Sequence, residues 1–147
     1  MMHVTQNSVD IGLATNNINE MKKFYIEVLG CTEVVTTEIP EDFIRQAGFG
    51  ENNLKLYALK FGDILIKLLH FENSPRGNEH KLADSQIGFR YLTFWVEDME
   101  ETVEHLEKNN VELQCHILSR VPERKLVFFK DPDGNLLELN WIDPNHT

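Results

Sequence analysis

No apolar run in this 147-residue chain approaches the roughly 18 residues that a membrane-spanning helix needs. Nothing near its start reads as a basic segment followed by an apolar one, so the expectation is a soluble, cytoplasmic protein with no membrane partner. Cysteine is scarce. Cys31 and Cys115 stand far apart, with no CxxC pair and no histidine at zinc-finger spacing, which excludes a disulfide framework and a metal knuckle. Both are expected as reduced thiols in or near the core. Basic residues are few, 14 Lys and Arg against 24 Asp and Glu, and the net charge of −10 leaves no cationic surface for phosphate groups. Nucleic acid is therefore excluded as a partner. Low-complexity tracts are absent too, and loop composition persists only over residues 72–88, rich in Asn, Ser, Pro, Gly and charge.

What is present is a 41% hydrophobic chain, enough for one compact domain. Residues 8–15 read as a short apolar strand with one anomaly, Asp10. Ile18, Met21, Tyr25, Val28 and Leu29 recur at spacings of three and four, one face of a helix. Asn17 and Glu20 predict a capping box at its start, and Gly30 suits the position just past its end. Residues 33–38, 54–61 and 64–71 follow as strands, the last two joined by Gly62-Asp63. The fifteen residues 39–53 carry Phe43, Ile44 and Phe49, too apolar for a solvated loop, and predict a partial helical turn folded over a pocket or a partner subunit. After 72–88, residues 89–96 form a β-prone run. Asp98 and Glu101 then open a helix with Met99, Val103 and Leu106 inward, and strands are expected at 111–118 and 125–129.

The last strand has the most explicit signature. Asp131-Pro132-Asp133-Gly134 has turn chemistry at every position, and the following residues alternate: Leu137, Leu139 and Trp141 on one face, Leu136, Glu138 and Asn140 on the other. Placing the halves of the chain over each other at an offset of 81 puts Asp10 on Tyr91, Asn17 on Asp98 and Glu20 on Glu101. The chain is thus expected to be an internal repeat of two β-α-β-β-β modules, 8–71 and 89–141, joined by the linker 72–88 into a single domain.

These helix starts, the Val28-Leu29-Gly30 ending and above all DPDGNLLEL resemble the vicinal-oxygen-chelate superfamily, over roughly residues 8–141. That family includes glyoxalase I, methylmalonyl-CoA epimerase, extradiol dioxygenases, fosfomycin-modifying enzymes and bleomycin-resistance proteins. The resemblance implies an α+β fold in which tandem modules curl into a half-open, mixed, barrel-like sheet around a cavity, commonly in a homodimer. Its metal-using members hold a divalent ion with His on the first strand, Glu or Gln on the fourth, His on the fifth and Glu on the eighth. Carried over, those positions are Asp10, Lys67, Tyr91 and Glu138, so only the last agrees and both histidines are missing. Aligning Gly62 with Gly134 without a gap gives Ile66 in place of Lys67 and turns His70 toward the cavity.

An ammonium has no lone pair for a metal while it keeps its proton, so no cofactor is preferred; any metal would rest on Glu138 and Asp10. Lys67 is expected instead to supply the positive charge, among Asp10, Glu138 and the Tyr91 hydroxyl. His116 and Asn140 complete the expected cavity lining, with one Phe of the seventh strand. His116 and His70 are candidates for acid–base work, although single histidines on strands more often serve structure. Arg45, Arg90, Arg120 and Arg124 offer charge for an anionic substrate, with surface solvation as their default. Two functions stay open. One is a metal-free protein that binds a small organic ligand; the other is a glyoxalase- or epimerase-like lyase or isomerase, with Glu138 as general base and an atypical metal or Lys67 as electrophile.

Overall fold

The computed structural model describes residues 1–6, 8–71, 73 and 88–146. The chain divides into two compact units, Met1–Gly77 and Asn78–Thr147. The expected linker 72–88 lies outside the described residues except for Asn73 and Gly88.

In the first unit β1 (Ile11–Thr15) is followed by helix α1 (Ile18–Lys23), which runs on as a π-helical turn over Phe24–Val28. Next come β2 (Thr32–Ile39), a short helix α2 (Glu41–Gln46), β3 (Leu54–Phe61) and β4 (Ile64–Phe71). The strands lie in the order β1-β4-β3-β2, with β1 parallel to β4 and the other pairs antiparallel. A two-residue turn joins β3 to β4, and Gly62 supplies its φ of 56°. Ile66 and Leu68 point to the α1 side, where Met21 and Tyr25 are buried with them. Lys22 of α1 confirms that side: its ammonium sits 4.7 Å from the ring of Tyr57, the cross-strand neighbour of Leu68. Alternation sends Lys67, Leu69 and Phe71 to the opposite face. There α2 buries Ile44 against Leu54 and Leu69, so the apolar residue of the long loop packs on its own sheet, while Phe43 stays exposed.

The second unit repeats the pattern with β5 (Tyr91–Trp95), α3 (Met99–Lys108), β6 (Leu118–Val121), β7 (Arg124–Lys130) and β8 (Leu136–Ile142). Its order is β5-β8-β7-β6, again with the first strand parallel to the last. Each module is an open four-stranded mixed sheet with one principal helix, the α+β repeat expected from the sequence. Phe129, Val127, Leu137 and Leu139 share the α3 face and are essentially inaccessible. Lys125 ties that face together, reaching Glu100 of α3 at 2.5 Å while lying over the Trp141 ring.

Three expectations are corrected. The first strand begins at Ile11, so Asp10 stands just ahead of it. Asn17 makes no side-chain cap; its own N–H donates to Thr15 Oγ1 at 2.9 Å, and that hydroxyl shapes the entry to α1. Of residues 111–118, expected as a strand, only Leu118 lies in one, as the start of β6. Leu113 bridges Phe129 and Leu118 pairs with Leu126, so four residues, 114–117, face only two, 127 and 128, and the segment loops outward. Within the loop Gln114 N–H donates to Phe128 O at 2.7 Å, and Cys115 Sγ accepts from Phe128 N–H at 3.5 Å, replacing the ladder bonds. Both cysteines are free thiols, and burial pushes Cys31 up to about 11.

The two helix starts make a direct test of capping. Asp98 Oδ1 accepts Glu101 N–H at 2.9 Å, as a side-chain N-cap should. Asp98→Ala is expected to lower stability by about 1 kcal/mol in urea unfolding, whereas Asn17→Ala should stay within about 0.5 kcal/mol of the parent. Equal losses at the two positions would contradict the difference seen between the caps.

Candidate functional site

In the first module the Lys67 ammonium lies 3.0 Å from Asp10 Oδ2, both side chains about one-third exposed. Asp10 Oδ1 also accepts the Leu65 N–H at 3.1 Å. The Lys67 hydrogen bond, with the Leu65 N–H as a second donor, holds the Asp10 carboxyl below the usual aspartate range. Gly12 is the register partner of Lys67, and a Cβ there would meet Leu69 Cδ1 at 3.2 Å.

In the second module Glu138 is 6% exposed. Thr93, its partner across the parallel pair, donates its hydroxyl to Glu138 Oε2 at 2.6 Å. On the other side Glu138 faces Phe128 of β7, and Phe128 meets the Tyr91 ring edge to face with centroids 5.5 Å apart. Tyr91, Thr93 and Trp95 alternate with Leu92 and Phe94, so this face carries two half-exposed aromatics, Tyr91 at 51% and Trp95 at 63%, around a sunken carboxylate. Asn140 shares the strand face of Glu138 and is partly buried.

These registers decide between Lys67 and Ile66. Gly12 pairs with Lys67 and Thr93 with Glu138, and Gly12 and Thr93 differ by 81, the offset of the helix starts Ile18 and Met99. Lys67 is therefore the repeat counterpart of Glu138, each on the face turned away from its module's principal helix, α1 or α3. Ile66 is fully buried on the helix side.

The remaining candidates are dispersed. His70 lies on the opposite face from Lys67, with Nδ1 3.3 Å from the Thr15 carbonyl. It edges a cleft of about 530 Å³ at the end of the first sheet, lined also by Glu38, Ile39, Pro40, Asn53, Leu54 and Lys55. That cleft contains neither Asp10 nor Lys67. His116 is exposed in the outward loop rather than on a strand. Arg45 is an exposed partner of Glu41 one turn away, Arg90 folds back on the Phe89 carbonyl, and Arg120 and Arg124 are exposed. Thr93 and Trp95 were not singled out from sequence, although alternation from Tyr91 puts both on its face.

Neither module's share of these positions, Asp10 with Lys67 or Tyr91 with Glu138, offers the donor set of a divalent ion. Lys67 is held in an ion pair, and the Asp10 carboxylate is already taken by Lys67 and a backbone N–H. Among the described residues no group of three His, Cys, Asp or Glu side chains converges as metal ligands.

The family model described as Glyoxalase/Bleomycin resistance protein/Dioxygenase superfamily matches residues 3–139. The chain belongs to this superfamily. Among its relatives is the uncharacterized protein YaeR of Escherichia coli strain K12, 31% identical over 118 residues, which cover 80% of this chain and 82% of YaeR. A glyoxalase-family protein from Bacillus cereus has a similar structure, with a TM-score of 0.76, 20% identity, and coverage of 95% of this chain and 99% of that one. So has the fosfomycin resistance protein FosX from Listeria monocytogenes, with a TM-score of 0.63 at 14% identity over 95% of this chain and 93% of FosX. At such identities the superfamily members share the fold, and the chemistry has to be argued from the side chains.

Proposed function

We propose that this superfamily member binds a small organic molecule on the Glu138 face of its second module, without a resident metal, as a cytoplasmic homodimer. One observation carries the reading: a carboxylate sunk to 6% exposure beside an edge-to-face aromatic pair whose outer ring, Tyr91, remains half open to solvent. Aromatic walls with one placed polar group are what small-molecule sites are made of. Asp10 and Lys67 form a charge-balanced pair at the matching position of the first module and set polarity there.

A second reading draws on the Lys67 ammonium. It is partly open, as an electrophile needs to be, and Glu138 has the carboxylate of a general base. An isomerase or lyase would use such a base on a carbonyl-bearing substrate.

The test is a thermal-shift screen of polar organic compounds, fosfomycin included, on the purified protein and Glu138→Gln. A ligand at a hundred times its Kd stabilises by about 2.7 kcal/mol and should raise Tm by about 5–10 °C. Binding predicts that the ligand is recovered unchanged. Turnover predicts solvent proton exchange into the compound, abolished in Glu138→Gln. A screen with no shift for any compound would overturn the binding reading, and sedimentation as a monomer would overturn the dimer.

A further inference from the structure

We infer that the ligand of the Glu138 face is an organic cation, an ammonium or quaternary ammonium joined to an apolar or aromatic body. This rests on the binding reading above and names its ligand class.

The argument starts from charge. A carboxylate moved out of water must be met by hydrogen bonds and by a counter-charge. Glu138 has the first in the Thr93 hydroxyl, a neutral donor. Among the described residues it has no ion pair, and Lys67, its repeat counterpart, makes its own ion pair with Asp10. No described side chain of the second module meets the Glu138 carboxylate in an ion pair; Lys108 and Lys125 are taken by Glu104 and Glu100.

The rings around that charge select what can balance it. A cation over a Tyr, Trp or Phe face gains about 0.5–2 kcal/mol, and the gain grows as water is excluded. Tyr91, Phe128 and Trp95 all project on the Glu138 side, as the Thr93 hydrogen bond and the β7 register establish. Ring faces and a carboxylate together suit a soft, weakly hydrated organic cation. They disfavour an anion, which both repel, and a small divalent ion, which keeps its water and among the described residues of this face finds one carboxylate. The chain's net charge of −10 adds a long-range field of the same sign.

The experiment holds the ring constant and changes the charge. Benzyltrimethylammonium, benzyl alcohol and benzoate are titrated into the full chain at fixed ionic strength, read by tryptophan fluorescence, to which Trp95 contributes from this face. The cation is expected to bind at least about tenfold tighter than the alcohol, and benzoate more weakly still, tenfold being about 1.4 kcal/mol. Glu138→Gln keeps the shape and removes the charge. It should cost the cation about tenfold or more and leave the alcohol unchanged, while Glu104→Gln, which removes an exposed α3 carboxylate paired with Lys108, should leave the cation unaffected. Should Glu138→Gln fail to fold, Tyr91→Leu carries the test, with a loss of about threefold or more for the cation.

Equal affinities across the three probes, or a cation indifferent to both Glu138→Gln and Tyr91→Leu, would overturn the cation and leave small-molecule binding standing. Displacement of the cation by millimolar Mg²⁺ or Mn²⁺ at constant ionic strength would make the face a metal site and overturn it too. Silence from all three probes, together with a silent compound screen, removes the binding reading itself.

Discussion

Asp131→Ala is expected to unfold at markedly lower urea, with a loss of about 3–4 kcal/mol, while Asp133→Ala two residues away should stay within about 0.5 kcal/mol of the parent. The two aspartates look alike in DPDG, but the structure separates them. Asp131 is 4% exposed, and its carboxylate gathers the turn: Oδ1 accepts the N–H groups of Asp133 at 3.0 Å and Asn135 at 2.9 Å, and Oδ2 accepts Asn135 Nδ2 at 2.8 Å. Hydrogen bonds to a charged acceptor contribute about 1.5–3 kcal/mol each, and their removal here leaves donors facing a void. The sum falls short of three independent bonds because they share one group. Asp133 is partly exposed, and what the turn takes from it is its backbone N–H. Asp131→Asn keeps one acceptor oxygen and should fall between. The result that would sink this account is an Asp131→Ala protein as stable as Asp133→Ala. Because the turn delivers β8, its loss should also loosen Glu138 and weaken ligand binding in proportion to the unfolding.

Phe129→Ala should cost about 3–5 kcal/mol, the range for emptying a large aromatic site in a close-packed core. Phe129 has no accessible surface, pairs across the ladder with Leu137, and shares the helix-facing side with Val127 and Leu139. Its neighbour Phe128 points the other way, toward Tyr91 and Glu138. Phe128→Ala should therefore cost less stability, about 1–2 kcal/mol, yet weaken ligand binding, which Phe129→Ala affects only through the folded fraction. Chemical denaturation and the fluorescence titration, run on both variants, separate the two effects. If Phe128→Ala proved the more destabilising, the assignment of faces in the second sheet would be wrong.

Much of this arrangement was legible in the residues. The alternation after Gly134 assigns Leu137, Leu139 and Trp141 to one face and Glu138 to the other without any structure, and Asp98 announces the helix that it caps. What escaped depended on partners distant in sequence. Thr93 holds Glu138, 45 residues away, through a parallel pairing of β5 with β8. Period-two patterning says which face a residue takes but not which strand lies alongside. Asn17 was misleading for a different reason. Its side chain is a good cap, but the Thr15 hydroxyl bonds its N–H first and the entry to the helix takes another shape. The segment 111–118 reads as a strand by composition, and the surplus of two residues against β7 that expels it is visible only once the bridges at Leu113 and Leu118 are both known.

The outer strand of the first sheet has a bearing on how the protein behaves when concentrated. β2 is eight residues long and exposed along nearly its whole length, with Val34 and Val35 about half open. Such a strand, rich in Val and Thr, is a ready template on which a foreign chain can add itself. Two devices guard it. A break in register between Glu33 and Val35 spoils the flat run of donors and acceptors. The carboxylate of Glu33, clamped by Lys22 at 2.6 Å and Thr36 at 2.6 Å and so held below the usual carboxylate range, keeps a fixed negative charge beside the break. The edge is thus guarded by a register break that salt leaves untouched and by an ion pair to α1 that salt screens, so high salt is where the second safeguard is thinnest.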